Sequence, residues 1–143
     1  LIKNAINNGL GEALEMEVKR DIEGDPENTK ALYWLGMLYY ETGRKGEAVK
    51  TWEKSVSIRP DANIYSSIGN VYMERGMSAE AIGYYKKALD NDKSFAEAYY
   101  NLGSVYEATG DKDKAAKAYE RFIRYAGPEY AKEVRSLKER GIE

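Results

Sequence analysis

The sequence predicts an all-α fold, a stack of antiparallel helix-turn-helix hairpins. A block recurs along the chain: Leu35-Gly36-x-x-Tyr39, Ile68-Gly69-x-x-Tyr72 and Leu102-Gly103-x-x-Tyr106 set their glycines 33 and 34 residues apart. Within a block the apolar positions keep helical spacing, with Leu32, Leu35, Gly36 and Tyr39 followed by Ala48, Trp52, Ser55 and Val56. A glycine separates the two helices of each copy, at Gly43, Gly76 and Gly110, where the chain must stop one helix and take a positive φ.

The elements follow in order. Residues 1–28 read as a partial N-terminal repeat, because Gly9, Leu14, Val18, Ile22 and Pro26 precede Gly43, Ala48, Trp52, Val56 and Pro60 by 34 residues each. Most of its first helix is missing. Residues 29–61, 62–95 and 96–127 are three full copies, and residues 128–143 a C-terminal capping helix, all in one array. Ser78, and Asp111 with Asp113, offer oxygens or negative charge to the open N–H groups at second-helix starts. Ser94-Phe-Ala-Glu97 reads as a capping box opening the third copy. Pro26, Pro60 and Pro128 cannot continue the helices they follow. From Glu129 to Arg140 a single stripe, Tyr130, Val134 and Leu137, is apolar and the remainder largely charged, as expected of a helix with one face to bury. In each hairpin the signature glycine is expected to face the small Ala48, Ala81 or Ala115, with rings at 39, 72, 106 and 52, 85, 119 filling the adjoining space.

Composition narrows the chemistry. The 143 residues carry 24 acidic and 22 basic side chains, a net charge of −2, which gives no sign of a nucleic-acid or membrane partner. There is no His and no Cys, which excludes the imidazole base, the Ser-His and Cys-His nucleophile pairs, thiolate zinc sites and disulfides. No cofactor or metal is expected. The compartment stays open, with cytoplasmic as the default. The excess is in tyrosine, thirteen against two Phe and two Trp. Seven (Tyr39, Tyr65, Tyr72, Tyr85, Tyr99, Tyr106, Tyr119) fall on repeat positions.

These residues resemble the tetratricopeptide repeat family: aromatic-x-x-Leu-Gly-x-x-Tyr, then Gly, Ala, aromatic, Ala and Pro at a 34-residue period. The third copy fits best, through Tyr99, Leu102, Gly103, Tyr106, Gly110, Ala115 and Tyr119. Departures are Leu32 for the leading aromatic, Ser55 for the second Ala, Phe122 for a small residue, Lys93 where a proline would stand, and Gly127-Pro128, which shifts the proline by one. The resemblance implies an α-solenoid, a right-handed superhelical stack of the hairpins, whose first helices line a concave groove, and a protein–protein interaction scaffold, not an enzyme. Carried onto this chain, the groove positions are Lys30, Tyr33, Met37, Tyr40 and Glu41; Asn63, Ser66, Asn70, Met73 and Glu74; and Glu97, Tyr100, Ser104, Glu107 and Ala108. Tyr33, Met37, Tyr40, Met73 and Tyr100 suit an apolar or aromatic partner side chain, while Ser66 and Asn70 suit its backbone. Four Glu to one Lys favours a basic or neutral peptide or helix. The family's Lys/Arg/Asn clamp for chaperone C-terminal tails is absent: Tyr33, Met37, Glu97 and Asn101 stand at its positions and only Asn70 fits.

Other patterns read as structure. Asp90-x-Asp92-x-Ser94 lacks the glycine and terminal glutamate of a calcium loop. Gly9-x-Gly11 lacks the third glycine of a phosphate loop. The stripe Lys112, Lys114, Lys117, Arg121, Arg124 is interleaved with acids, as on a solvated face. The alternative to a groove-binding scaffold is an assembly segment that docks through the uncapped N-terminal edge around Leu1, Ile2 and Ala5, onto a further copy or further repeats.

Overall fold

A computed structural model describes residues 2–143, and Leu1 lies outside it. Among the described residues the fold is all-α, as expected. The helices are α1 (Ile2–Asn7), α2 (Gly11–Gly24), α3 (Thr29–Glu41), α4 (Lys45–Ile58), α5 (Ala62–Glu74), α6 (Ser78–Asn91), α7 (Ala96–Ala108), α8 (Lys112–Tyr125) and α9 (Ala131–Glu139). A 3-10 turn, Pro128–Tyr130, precedes α9. The chain divides into two compact units, one ending at Ile64 and one running Tyr65–Glu143.

Connections follow from local chemistry. Gly43, Gly76 and Gly110 have φ of 81°, 73° and 82°, the left-handed geometry the punctuation predicts. Second helices end on extended residues, Asp25, Arg59 and Asp92, and the first two precede prolines that disfavour helical backbone behind them. Where Lys93 replaces the proline, Asp92 holds the turn itself: its Oδ1 accepts from Ser94 N at 2.9 Å and from Ser94 Oγ at 2.7 Å. That engagement corrects the expected capping box. Ser94 is committed backwards, and α7 starts at Ala96 behind Phe95, with no side-chain cap. Ser78 also caps nothing, lying inside α6 behind Met77. Real caps come from Asn28 to Ala31 N (2.9 Å), Asp61 to Asn63 N and Ile64 N (2.9 and 3.2 Å), and Asp111 to Lys114 N (3.2 Å).

In the first unit α3 packs on α4 and on α2. Its core is Leu32, Leu35, Leu38, Ala48, Trp52 and Val56. Ser55, fully buried in a place expected to be small and apolar, donates Oγ to the carbonyl of Thr29 at 3.3 Å, so its hydroxyl is satisfied. On the outer side, Arg44 pairs with Glu15 at 2.8 Å and lays its guanidinium 4.1 Å from the centroid of Tyr39. In the second unit α7 packs on α6 and α8. Phe122, fully buried, meets Tyr100 and Tyr130 edge-on at 5.0 and 5.3 Å, and Tyr130 of the 3-10 turn with Val134 and Leu137 of α9 closes over that cluster. The large residue at 122 is accommodated between rings from α7 and from the 3-10 turn, Tyr100 and Tyr130.

The expected glycine-to-alanine contact is corrected. Each signature glycine faces the second-helix ring: a Cβ built on Gly36 would strike Trp52, one on Gly69 would lie 2.6 Å from Cε1 of Tyr85, and one on Gly103 2.5 Å from Cε1 of Tyr119. The missing side chain is the space the ring occupies.

Candidate functional site

That ring-on-glycine packing sets the polar tip of each second-helix ring against a group on the first helix. Trp52 Nε1 donates to the carbonyl of Tyr33 at 3.2 Å. Tyr85, only 2% exposed, donates its hydroxyl to Oδ1 of Asn70 at 2.7 Å. Tyr119 donates to Oε2 of Glu107 at 2.9 Å, and its hydroxyl lies 3.3 Å from Ser104 Oγ. Burial pushes the Tyr85 and Tyr119 phenols upward, and nearby carboxylates, Glu97 and Glu74 for Tyr85 and Glu107 for Tyr119, push the same way. Both rings therefore remain neutral donors at physiological pH.

In the first unit the structure gathers part of the predicted set. Lys30, Tyr33 and Asn63 line one concavity of about 470 Å³ together with Thr29, Arg59, Asp61 and Ile64. Arg59 donates to Thr29 Oγ1 at 2.8 Å, so the pocket holds two cations and one carboxylate. Met37 and Tyr40 are half-buried along α3. Tyr40 lies 6.1 Å from Trp52 and 5.7 Å from Lys45 Nζ, and Tyr33 meets the edge of Trp34 at 5.3 Å. Glu41 pairs with Lys3 at 3.6 Å.

In the second unit the packing engages two of the predicted residues. Ser66 is 1% exposed and does not face solvent; its Oγ accepts from Asn101 Nδ2 at 3.4 Å. Tyr100 is not spared by the packing, since its ring abuts Phe122 and Tyr119. Asn70, Met73, Glu97 and Ser104 are half-buried, and Glu107, Glu74 and Ala108 are exposed. Asn101 Nδ2 also donates to Asn70 Oδ1 at 3.1 Å, completing a chain Ser66–Asn101–Asn70–Tyr85. Asn101, Tyr85 and Tyr119 were not among the residues expected at the site. The signal for the two rings was present as phenol chosen over phenyl at a packing position, the tyrosine excess itself. Glu107 is engaged by Arg140, and Glu41 by Lys3, each within its own unit. Among the described residues no cluster of carboxylates could hold a metal ion, and no helix is long and apolar enough to cross a membrane.

Helical hairpins of this length, with glycine under a second-helix ring, define a repeat protein of the helical-hairpin class. The chain belongs to the tetratricopeptide repeat family, which matches it over residues 29–62 and again over residues 67–131. It is 32% identical over 108 residues to a barley (Hordeum vulgare) protein, the probable UDP-N-acetylglucosamine–peptide N-acetylglucosaminyltransferase SPINDLY, covering 70% of this chain and 11% of that one. It is 34% identical over 70 residues to the peroxisomal targeting signal receptor of Candida albicans, covering 48% of this chain and 12% of the receptor. The chain thus spans about a tenth of the length of these curated relatives. Among solved structures, the crystal structure of MamA superposes with a TM-score of 0.74 at 28% identity, covering 87% of this chain and 74% of that one. Family and fold together mark a protein–protein interaction module.

Proposed function

We propose that this chain is a non-catalytic scaffold that binds a peptide or helix of another protein on the exposed faces of its first helices. The observation that carries the reading is the concavity lined by Lys30, Tyr33 and Asn63, a ring and two polar groups converging on one partner-sized pocket. The amides of Asn70 and Asn101 in the second unit support it, because each retains hydrogen-bonding capacity beyond the bonds they make with one another and with Tyr85. Residues 29–61, 62–95 and 96–127 act in this reading as consecutive copies, with α9 as a cap. In the second unit the acids Glu74, Glu97 and Glu107 favour a neutral or basic partner segment, whereas the pocket at Lys30, with two cations to one carboxylate, favours a neutral or acidic group; a chaperone-tail carboxylate is not favoured, for want of the clamp. The test is selection of displayed peptides on the parent protein, followed by measurement of their binding to Lys30→Ala/Asn63→Ala and to Asn101→Ala. Loss of at least one family of binders in variants that keep their far-ultraviolet dichroism is expected. Binders indifferent to all three changes would sink the proposal.

A second reading, docking of another copy at the N-terminal edge, is favoured by one observation. Ile2, Ala5, Leu14, Val18 and Trp34 line a largely apolar recess of about 370 Å³, rimmed by Glu17 and Asp21. Trp34 is 39% exposed there. Sedimentation that shows concentration-dependent dimers, lost in Ile2→Asp, would support it; a monomer throughout would exclude it.

A further inference from the structure

At the end of the second unit an arginine is held against α7. Arg140, which closes α9, directs Nη2 to Oε1 of Glu107, and its guanidinium carbon lies 5.6 Å from the centroid of Tyr119. The second oxygen of the same carboxylate accepts the Tyr119 hydroxyl at 2.9 Å. The receiving surface is stiff: Tyr119 is 3% exposed, its ring lies on the backbone at Gly103, and its hydroxyl is 3.3 Å from Ser104 Oγ. A concavity of about 300 Å³ adjoins it, walled partly by Ala115, Ala116 and Ile142.

We infer that Glu107, Tyr119 and Ser104 form a recognition site for the guanidinium of a partner protein's arginine, and that Arg140 occupies it in cis until displaced. The chemistry is that of guanidinium recognition: an oriented carboxylate for the planar N–H fork and an aromatic face beside it. The occupant is poised to leave. Arg140 and Glu107 are 47% and 48% exposed, and an exposed pair holds only weakly. Leu137, 2% exposed, anchors α9 without help from Arg140. Past Arg140 the chain turns at Gly141, whose φ is 83°, so the arginine sits at a helix end where only its own side chain need move. A lysine, with one point charge and no fork, is a poorer competitor. The biological use of the site rests on the protein-binding reading above, but its existence can be measured separately.

The probe is the tripeptide acetyl-Gly-Arg-Gly-amide, titrated at low salt and followed by amide NMR shifts of Ser104, Glu107 and Tyr119, with the lysine tripeptide as comparison. If the cis pair has the strength usual for exposed ion pairs, Arg140→Ala binds the arginine probe about two- to sixfold more tightly than the parent. Glu107→Gln, in an otherwise unchanged spectrum, abolishes the localised shifts. Equal midpoints for parent and Arg140→Ala, or shifts that persist in Glu107→Gln, would overturn the inference. Either failure, with peptide binding that depends on Lys30 and Asn63 intact, removes the arginine site and leaves the protein-binding reading standing.

Discussion

Replacing Gly69 by alanine sets two opposing effects against each other in one methyl group. Alanine inside a helix is favoured over glycine by roughly 0.5–1 kcal/mol from backbone entropy alone. Against that, the added Cβ would stand 2.6, 2.9 and 3.1 Å from three ring carbons of Tyr85, inside any normal contact distance. The ring is hemmed in, because Tyr85 is 2% exposed and its hydroxyl is fixed to Asn70 at 2.7 Å. Overpacking of this kind costs about 1–3 kcal/mol, and withdrawal of the ring would forfeit a hydrogen bond worth a further 0.5–1.5 kcal/mol or so. The net expectation is destabilisation by roughly 0.5–4 kcal/mol. Gly83 supplies the internal control: it lies in α6, has open space around its Cβ direction, and should gain about 0.5–1 kcal/mol on the same change. Urea unfolding followed by far-ultraviolet dichroism should therefore move the two midpoints in opposite directions. A Gly69→Ala midpoint equal to or above that of the parent would refute the ring-on-glycine account.

Three further outcomes are expected. Tyr85, Tyr119 and Tyr130 are pushed upward, in each case first by burial, so phenolate absorbance on alkaline titration should develop a late phase that Tyr85→Phe reduces. Because the folded chain then holds protons the unfolded chain has lost, stability falls as pH rises above about 10; a single ordinary phase would contradict the packing of these rings. Burial raises the Glu15 carboxyl, but hydrogen bonds from Lys19 and Arg44 outweigh it and hold it below its ordinary 4.5. The stability it contributes is thus full above that value and lost as pH falls through the lower folded one, so the gap between parent and Glu15→Gln should close in acid; a gap independent of pH would exclude the pair. Asn28→Ala, which removes a cap on α3, should cost about 1 kcal/mol, while Ser78→Ala, which removes none, should stay within about 0.5 kcal/mol, as read by thermal unfolding.

The fold was legible because its signals are local and repeated: the Gly-x-x-Tyr offsets, the positive-φ glycines and the extended residues before Pro26 and Pro60 each report on a few adjacent residues. The site was legible only as a face. Helical period places Ser66 and Tyr100 on one side of their helices but says nothing of depth, which depends on how closely the next helix approaches; Ser66 lies under Asn101, and Tyr100 against Phe122. Asn101 went unrecognised for the same reason, since its bonds to Ser66 and Asn70 span two helices. The Ser94-to-Glu97 spacing misleads because Asp92 takes the serine hydroxyl as a donor, turning it back from the helix N–H groups it would have capped.

The thirteen tyrosines have a last consequence. Tyr85 and Tyr119 are at once interior rings and the partners of Asn70 and Glu107 on the outer surface, so interior and exterior share atoms. Substituting phenylalanine to harden the interior would release Asn70, and recutting the surface at Asn70 would strand a phenol inside. Specificity in such a repeat drifts only through paired changes, one on each helix of a hairpin, and a library that varies the surface alone will sample mostly sequences whose interior no longer agrees with it.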